Sequence, residues 1–313
     1  STNRLTPTQV SGLTSGVTAI SAGKEHTCAI INGAAKCWGN NNSGRLGDGT
    51  STNRLTPTQV SGLTSGVTVI SVGQEHTCAI INGAAKCWGN NGSGRLGDGT
   101  STDRLTPTQV SGLTSGVTVI SAGFDHSCAI VNGAAKCWGD NWSGQLGDFS
   151  YNNSLNPTQV SGLTSGCTVI TAGFYHTCTI ASGAAKCWGY NSSGQIGNGT
   201  TNDENHPTQV TGLTTGVTAI SAGMEYACAI VNGTVKCWGV NSYGQIGDGT
   251  TTDHSLPTQV SGFILGAAQI GTGVNHSCGI KENKIWCWGL NTYGQLGNGT
   301  TTDSTTPTMV NNN

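Results

Sequence analysis

Residues 23–47 read GKEHTCAIINGAAKCWGNNNSGRLG, and this stretch returns six times at intervals of fifty residues. The copies begin at Gly23, Gly73, Gly123, Gly173, Gly223 and Gly273. A fixed period of this length identifies a repeat architecture, in which each unit buries its apolar face against its neighbours. Inside each copy two apolar runs, HTCAII and AAKCWG in the first, flank Asn32-Gly33. An Asn-Gly pair between such runs is a strong signal for a two-residue type I′ hairpin. With that turn Ile31 faces Ala34, Ile30 faces Ala35, Ala29 faces Lys36 and Cys28 faces Cys37. His26 then lies opposite Gly39, and Thr27 opposite Trp38. The cysteines fall at a non-hydrogen-bonded pair, where α-carbons approach to about 4.5 Å, within the span of a disulfide.

The register therefore predicts one bridge per repeat: Cys28–Cys37, Cys78–Cys87, Cys128–Cys137, Cys178–Cys187, Cys228–Cys237 and Cys278–Cys287. Each closes a loop of about ten residues and contributes roughly 2–3 kcal/mol on the chain-entropy account. Twelve of the 13 cysteines are used in this way. Such a set implies an oxidising, extracellular location. The thirteenth, Cys167, replaces a valine of the other copies and reads as a buried free thiol. Zinc is disfavoured, because no pair has C-x-x-C spacing, and no other metal or cofactor is expected.

Ahead of each hairpin, VTAISAG (residues 17–23) reads as an apolar strand, and PTQV (residues 7–10) as a short strand whose proline suits a sheet edge. Four short strands per repeat, glycine-rich turns and no helical periodicity predict an all-β, six-bladed β-propeller with four antiparallel strands and one disulfide per blade. The repeats run 1–50, 51–100, 101–150, 151–200, 201–250 and 251–300, in one propeller domain over residues 1–313. Seven P-T-x-V segments accompany six hairpins. Residues 301–313 thus hold a closing or a surplus strand; the expectation is that the N-terminal segment Pro7–Val10 closes the last blade.

The pattern HTCAI…KCWGNNNSGRLGDG, or HSCGI…WCWGLNTYGQLGNG in the sixth copy, resembles the regulator of chromosome condensation repeat across essentially the whole chain. The resemblance implies a propeller with one blade per repeat. Members usually have seven blades; six repeats predict six here. The paired cysteines are outside the general family pattern. Related members include an exchange factor for a small GTPase, ubiquitin-ligase modules and a secreted bacterial inhibitor of β-lactamase. That resemblance implies a protein-interaction module without catalysis.

Composition narrows the partners. Charged residues make up 9% of the 313 residues and the formal net charge is -2, so no basic surface recommends nucleic acid. No apolar run reaches membrane-spanning length. The chain opens in repeat sequence at Ser1 without a leader, which reads as a mature N-terminus.

Comparison of the copies locates a candidate partner-binding face. Antiparallel strands place residues 24–25 and 40–43 of each repeat on one side of the disc. There the copies diverge most, and large side chains gather over repeats 3 to 6: Phe124, Trp142, Phe174, Tyr175, Tyr190, Met224, Tyr243 and Tyr293. Exposed aromatic groups on loops favour recognition of a protein partner. The aligned histidines, His26 to His276, sit at blade-constant positions and read as structural, as do the six tryptophans of the motif. The alternative function is a subunit of an extracellular fibre or sheath, self-associating through the surplus strand and the apolar Phe263-Ile264-Leu265 loop. A carbohydrate-active enzyme is a third reading, weakened because no carboxylate pair stands out.

Overall fold

The hairpin register seen in the sequence is the one the chain adopts. In a computed structural model describing residues 3–311, Cys28 pairs with Cys37, His26 with Gly39 and Thr27 with Trp38 across antiparallel strands. Asn32 and Gly33 take φ of 49° and 77°, both left-handed as the type I′ turn requires. Glu282 and Asn283 make the same turn in the sixth copy, at φ 54° and 59°. All six bridges form as predicted, with α-carbons 4.0–4.1 Å apart.

Six four-stranded antiparallel sheets result. Blade 1 comprises β1 (Val17–Ala22), β2 (His26–Ile31), β3 (Ala34–Gly39) and β4 (Arg54–Gln59). The pattern repeats from Val67, Val117, Cys167 and Val217, and blade 6 comprises β21 (Ala267–Thr272), β22 (His276–Lys281), β23 (Lys284–Gly289) and β24 (Ser304–Met309). A blade therefore takes its outer strand from the start of the next repeat. That strand also begins three residues before the P-T-x-V segment: Gly39 pairs with Arg54 and Cys37 with Thr58, across a bulge that accommodates Pro57.

The closing strand is a correction. Blade 6 is completed by Ser304–Met309, not by the N-terminal segment. The Pro7–Val10 segment forms no strand at all. The physical reason is continuity: β24 follows β23 along the chain just as each earlier outer strand follows its own hairpin.

Successive blades are joined by the same contacts. Cys28, Ile30, Ala35 and Leu46 of blade 1 pack on Val67, Ile70 and Trp88 of blade 2. A buried tryptophan removes about 200 Å² from water, a gross gain of about 5 kcal/mol. The Arg45 carbonyl accepts both Trp88 Nε1, at 3.0 Å, and Thr77 Oγ1, at 2.9 Å. Toward the axis the inner strands converge. A β-carbon on Gly23 would stand 2.4 Å from the Gly73 carbonyl oxygen, so only glycine fits there. Cys167 is the single free cysteine and is buried at the valine position, where burial raises its thiol pKa.

Candidate functional site: an aromatic and acidic recess on one loop face

The loops that follow β1 and β3 of each blade meet on one face. Asn40 N donates to the Glu25 carbonyl at 2.9 Å, and its counterparts do the same in the later blades. One asparagine per repeat shapes the longer loop. Fully buried Asn41 donates to the carbonyls of Thr50 and Thr52 at 3.0 Å and accepts from Leu46 N at 2.9 Å. The loop face is thus held by side-chain bonds to backbone, and the variable residues ride on a rigid base.

On blades 1 to 3 this face is ion-paired. Buried Arg45 reaches Glu25 at 3.4 Å and Glu75 at 3.6 Å, and Arg95 reaches Asp125 at 2.5 Å. From repeat 3 onward glutamine replaces the arginine, at Gln145, Gln195, Gln245 and Gln295. No arginine follows Arg104 in the sequence, so the acids of repeats 4 to 6 lack a guanidinium.

Phe124, Phe174, Tyr175 and Tyr190, from two adjacent blades, form one cluster. The Phe124 and Phe174 rings lie 3.7 Å apart, Phe174 meets Tyr175 edge-on at 5.3 Å, and Tyr175 meets Tyr190 at 6.3 Å. Beside the cluster opens a recess of about 470 Å³ lined by Asp125, Asp140, Trp142, Ser143, Tyr175, Tyr190 and Glu225. Burial raises the carboxyl pKa of Asp125 although Arg95 opposes it. Burial likewise raises Asp140, against a hydrogen bond from Gln145 Nε2 at 2.8 Å, and Glu225, with help from Asp253. The Tyr175 hydroxyl is raised first by burial and then by the three carboxylates. Trp142 stands at the rim with 80% of its surface exposed. The arrangement offers flat apolar walls, a negative floor and one projecting aromatic.

Met224 lies elsewhere, at the mouth of the axial channel, a cavity of about 430 Å³ that it lines together with Phe124, Phe174, Lys24, Gln74 and Val274. Tyr243 and Tyr293 are exposed and line neither cavity. Reading the repeats side by side found the aromatic residues but missed Asp125, Asp140 and Glu225 as a group. Their signal was the replacement of arginine by glutamine at residues 145, 195 and 245, which leaves Glu225 without the guanidinium that Glu25, Glu75 and Asp125 have. Also missed was Phe149, whose ring stacks on His206 at 4.9 Å on the outer rim.

Three of the motif's histidines link one blade to the next. His26 Nε2 meets Thr77 Oγ1 of the next blade at 2.8 Å, His76 meets Ser127 at 2.8 Å and His126 meets Thr177 at 2.9 Å. Burial, aided by Arg45, lowers the His26 pKa to about 3; burial also takes His126 to about 3 and His176 to about 4. Tyr226, which stands in for the fifth histidine, keeps the link by accepting from Ser277 Oγ at 3.1 Å, and it also donates its hydroxyl to the His276 carbonyl at 2.5 Å. Among the described residues, no group of three His, Cys, Asp or Glu side chains is placed to hold a metal ion, and no helix is long and apolar enough to cross a membrane.

The blades, their stapled hairpins and this loop face define a β-propeller of the protein-interaction class. The regulator of chromosome condensation (RCC1) repeat matches residues 32–80, 82–130, 132–180, 183–230, 232–280 and 282–313, and the chain belongs to that family. The crystal structure of human WBSCR16 is similar at a TM-score of 0.86 and 22% identity, covering 99% of this chain and 85% of that one. Yeast RCC1 (Prp20), crystallised with Kap60 bound, is similar at 0.81 and 21% identity, covering 95% and 75%. Prp20p from Saccharomyces cerevisiae, described with its binding properties to Gsp1p and histones, gives the same TM-score over 95% of this chain and 77% of that one. At such identities the likeness is one of fold. No curated protein sequence matches the chain.

Proposed function

We propose that this chain is a secreted, non-catalytic propeller that binds a protein partner through the loop face of blades 3 to 5. The observation that carries the reading is the recess itself: Trp142, Tyr175 and Tyr190 stand over Asp125, Asp140 and Glu225 on loops pinned by buried asparagines. Exposed aromatic anchors beside a desolvated pocket are the usual centre of a binding surface. Three successive repeats contribute, so a partner would read their relative placement as well as their residues. Six disulfides, one per blade, support an extracellular setting.

The test is retention of proteins from the medium around the source cells on the immobilised chain. The wild type is compared with Trp142→Ala/Tyr175→Ala, each matched for melting temperature. A protein retained at least tenfold more by the wild type supports the reading, and equal retention refutes it.

A second reading is favoured by the same recess. Raised carboxyl groups flanked by aromatic platforms also suit a sugar ring. Binding or hydrolysis on a glycan array that disappears in Asp140→Asn would replace the protein partner with a carbohydrate. Assembly into a fibre through a surplus strand has less support, because Pro7–Val10 forms no strand and Gly299 N holds the neighbouring Leu5 carbonyl at 2.9 Å.

A further inference from the structure

One buried position under the loop face follows the same rule from repeat to repeat. Arg45 sits between Glu25, at 3.4 Å, and Glu75, at 3.6 Å, and Arg95 reaches Asp125. By the same steps along the chain Gln145 falls between Asp125 and Tyr175, and Gln195 between Tyr175 and Glu225, all four of which line the recess. The two glutamines are not equally satisfied. Gln145 Oε1 accepts from Ser143 N at 2.9 Å, and its Nε2 donates to Asp140 at 2.8 Å. Gln195 Oε1 accepts from Ser193 N at 3.0 Å in the same way, but Tyr190 stands at the place of Asp140. Gln195 is fully buried, and its Nε2, turned toward that wall of the recess, has no hydrogen-bond partner. A buried donor left alone costs about 1–3 kcal/mol, which an acceptor brought by a ligand recovers.

The carboxylates of the recess divide in the same manner. Asp125 is held by Arg95 and Asp140 by Gln145. Among the described residues Glu225 has neither a cation nor a donor, and nearby Asp253 adds like charge to it. One open anion and one open donor thus face the same aromatic-walled space. A ligand that satisfies both carries a cation and an acceptor oxygen close together. The tips of lysine and arginine side chains hold donors alone. A sugar hydroxyl can bond to both groups but brings no charge to Glu225. At the free amino end of a polypeptide the ammonium and the first carbonyl oxygen flank a single α-carbon, and a side chain projects from that same carbon.

We infer that the recess captures the free α-amino terminus of the protein partner. The inference rests on the reading that this recess is where a protein partner binds, and it names the part of that partner. The ammonium meets Glu225 and lies against the ring faces of the recess, which attract a cation. The first carbonyl accepts from Gln195 Nε2, and Tyr190 turns aside to admit it. The first side chain packs on Tyr175, and Trp142 at the rim covers the peptide that follows. A recess of about 470 Å³ has room for one terminal residue. Blades 1 and 2 offer no second site of this kind, because Arg45 and Arg95 already occupy the equivalent places.

The probe is the tetrapeptide amide Leu-Ser-Gly-Ser with a free amino end, run beside versions that begin with Phe or Ser. Binding to the full chain is followed by the indole N–H resonance of Trp142, assigned by its absence in Trp142→Phe. A saturable one-to-one shift is expected with at least one of the three. Acetylating its amino group should weaken binding by roughly tenfold or more. An acetylated peptide with an internal lysine should bind no better than the acetylated parent. Glu225→Gln should weaken the free-amine peptide about tenfold, and Gln195→Leu about fivefold, each variant matched for melting temperature. Because acetylation changes only the peptide, that comparison holds even where a variant fails to fold. The inference is overturned if no free-amine peptide gives a saturable shift, if the acetylated form binds equally, or if the internal lysine binds more tightly. A protein retained through Trp142 and Tyr175 whose retention survives both Glu225→Gln and excess free-amine peptide overturns this inference alone and leaves the partner reading intact.

Discussion

Acid should loosen this propeller well above the range in which its carboxylates titrate. His26 and His126 have folded pKa values of about 3 and His176 of about 4, all lowered chiefly by burial between blades. In the unfolded chain each returns to about 6.5. Between those values the unfolded state binds more protons, so stability is full above pH 6.5 and falls as pH drops toward 4 and 3. At pH 5.5 the difference is about 1.4 kcal/mol for each histidine, or about 4 kcal/mol for the three. His76 and His276 shift in the same direction and add to it. Unfolding entropy of about 2.1 cal/mol/K per residue over 313 residues converts 4 kcal/mol to a melting-point loss of about 6 °C. Asp125, Asp140 and Glu225 oppose the trend, since their raised values stabilise the fold as pH falls. Stopping at pH 5.5 limits their share. The assay is calorimetric unfolding at pH 7.5 and 5.5 with disulfides intact, on the wild type and on His126→Gln, which should recover about 2 °C of the loss. A melting point unchanged between the two pH values would refute the assignment of neutral, buried histidines.

Replacing Asn191 by alanine removes its bonds to the Thr200 and Asn202 carbonyls and strands Ile196 N; a loss of about 2–4 kcal/mol is expected, read by thermal melting. Changing Cys228 and Cys237 together to serine should cost about 2–3 kcal/mol through the reopened loop, measured by chemical denaturation. The Cys167 thiol, buried and with its pKa raised, should resist maleimide at neutral pH and react in step with global unfolding, as mass spectrometry would show. Trp142→Ala should leave the melting point within about 1 °C, since this side chain is largely in solvent.

The sequence by itself determined everything that depends on neighbours along the chain. A two-residue turn sets the pairing of His26 with Gly39 and of Cys28 with Cys37, because side chains alternate with a period of two and one slip would reverse every face. The blade, its bridge and the face holding the variable loops follow from that register. The aromatic residues of the recess were legible as departures from a repeating background. What joins one blade to the next was not. The link from His26 to Thr77, the meeting of Phe124 with Phe174 and the gathering of Asp125, Asp140 and Glu225 all cross between repeats, and their geometry depends on the angle between packed sheets. The exposure of Val17 and Ile20, whose equivalents Val67 and Ile70 are buried, depends on that angle summed around the ring. Fifty-residue spacing counts the blades; only their packing decides which side chains of different blades meet.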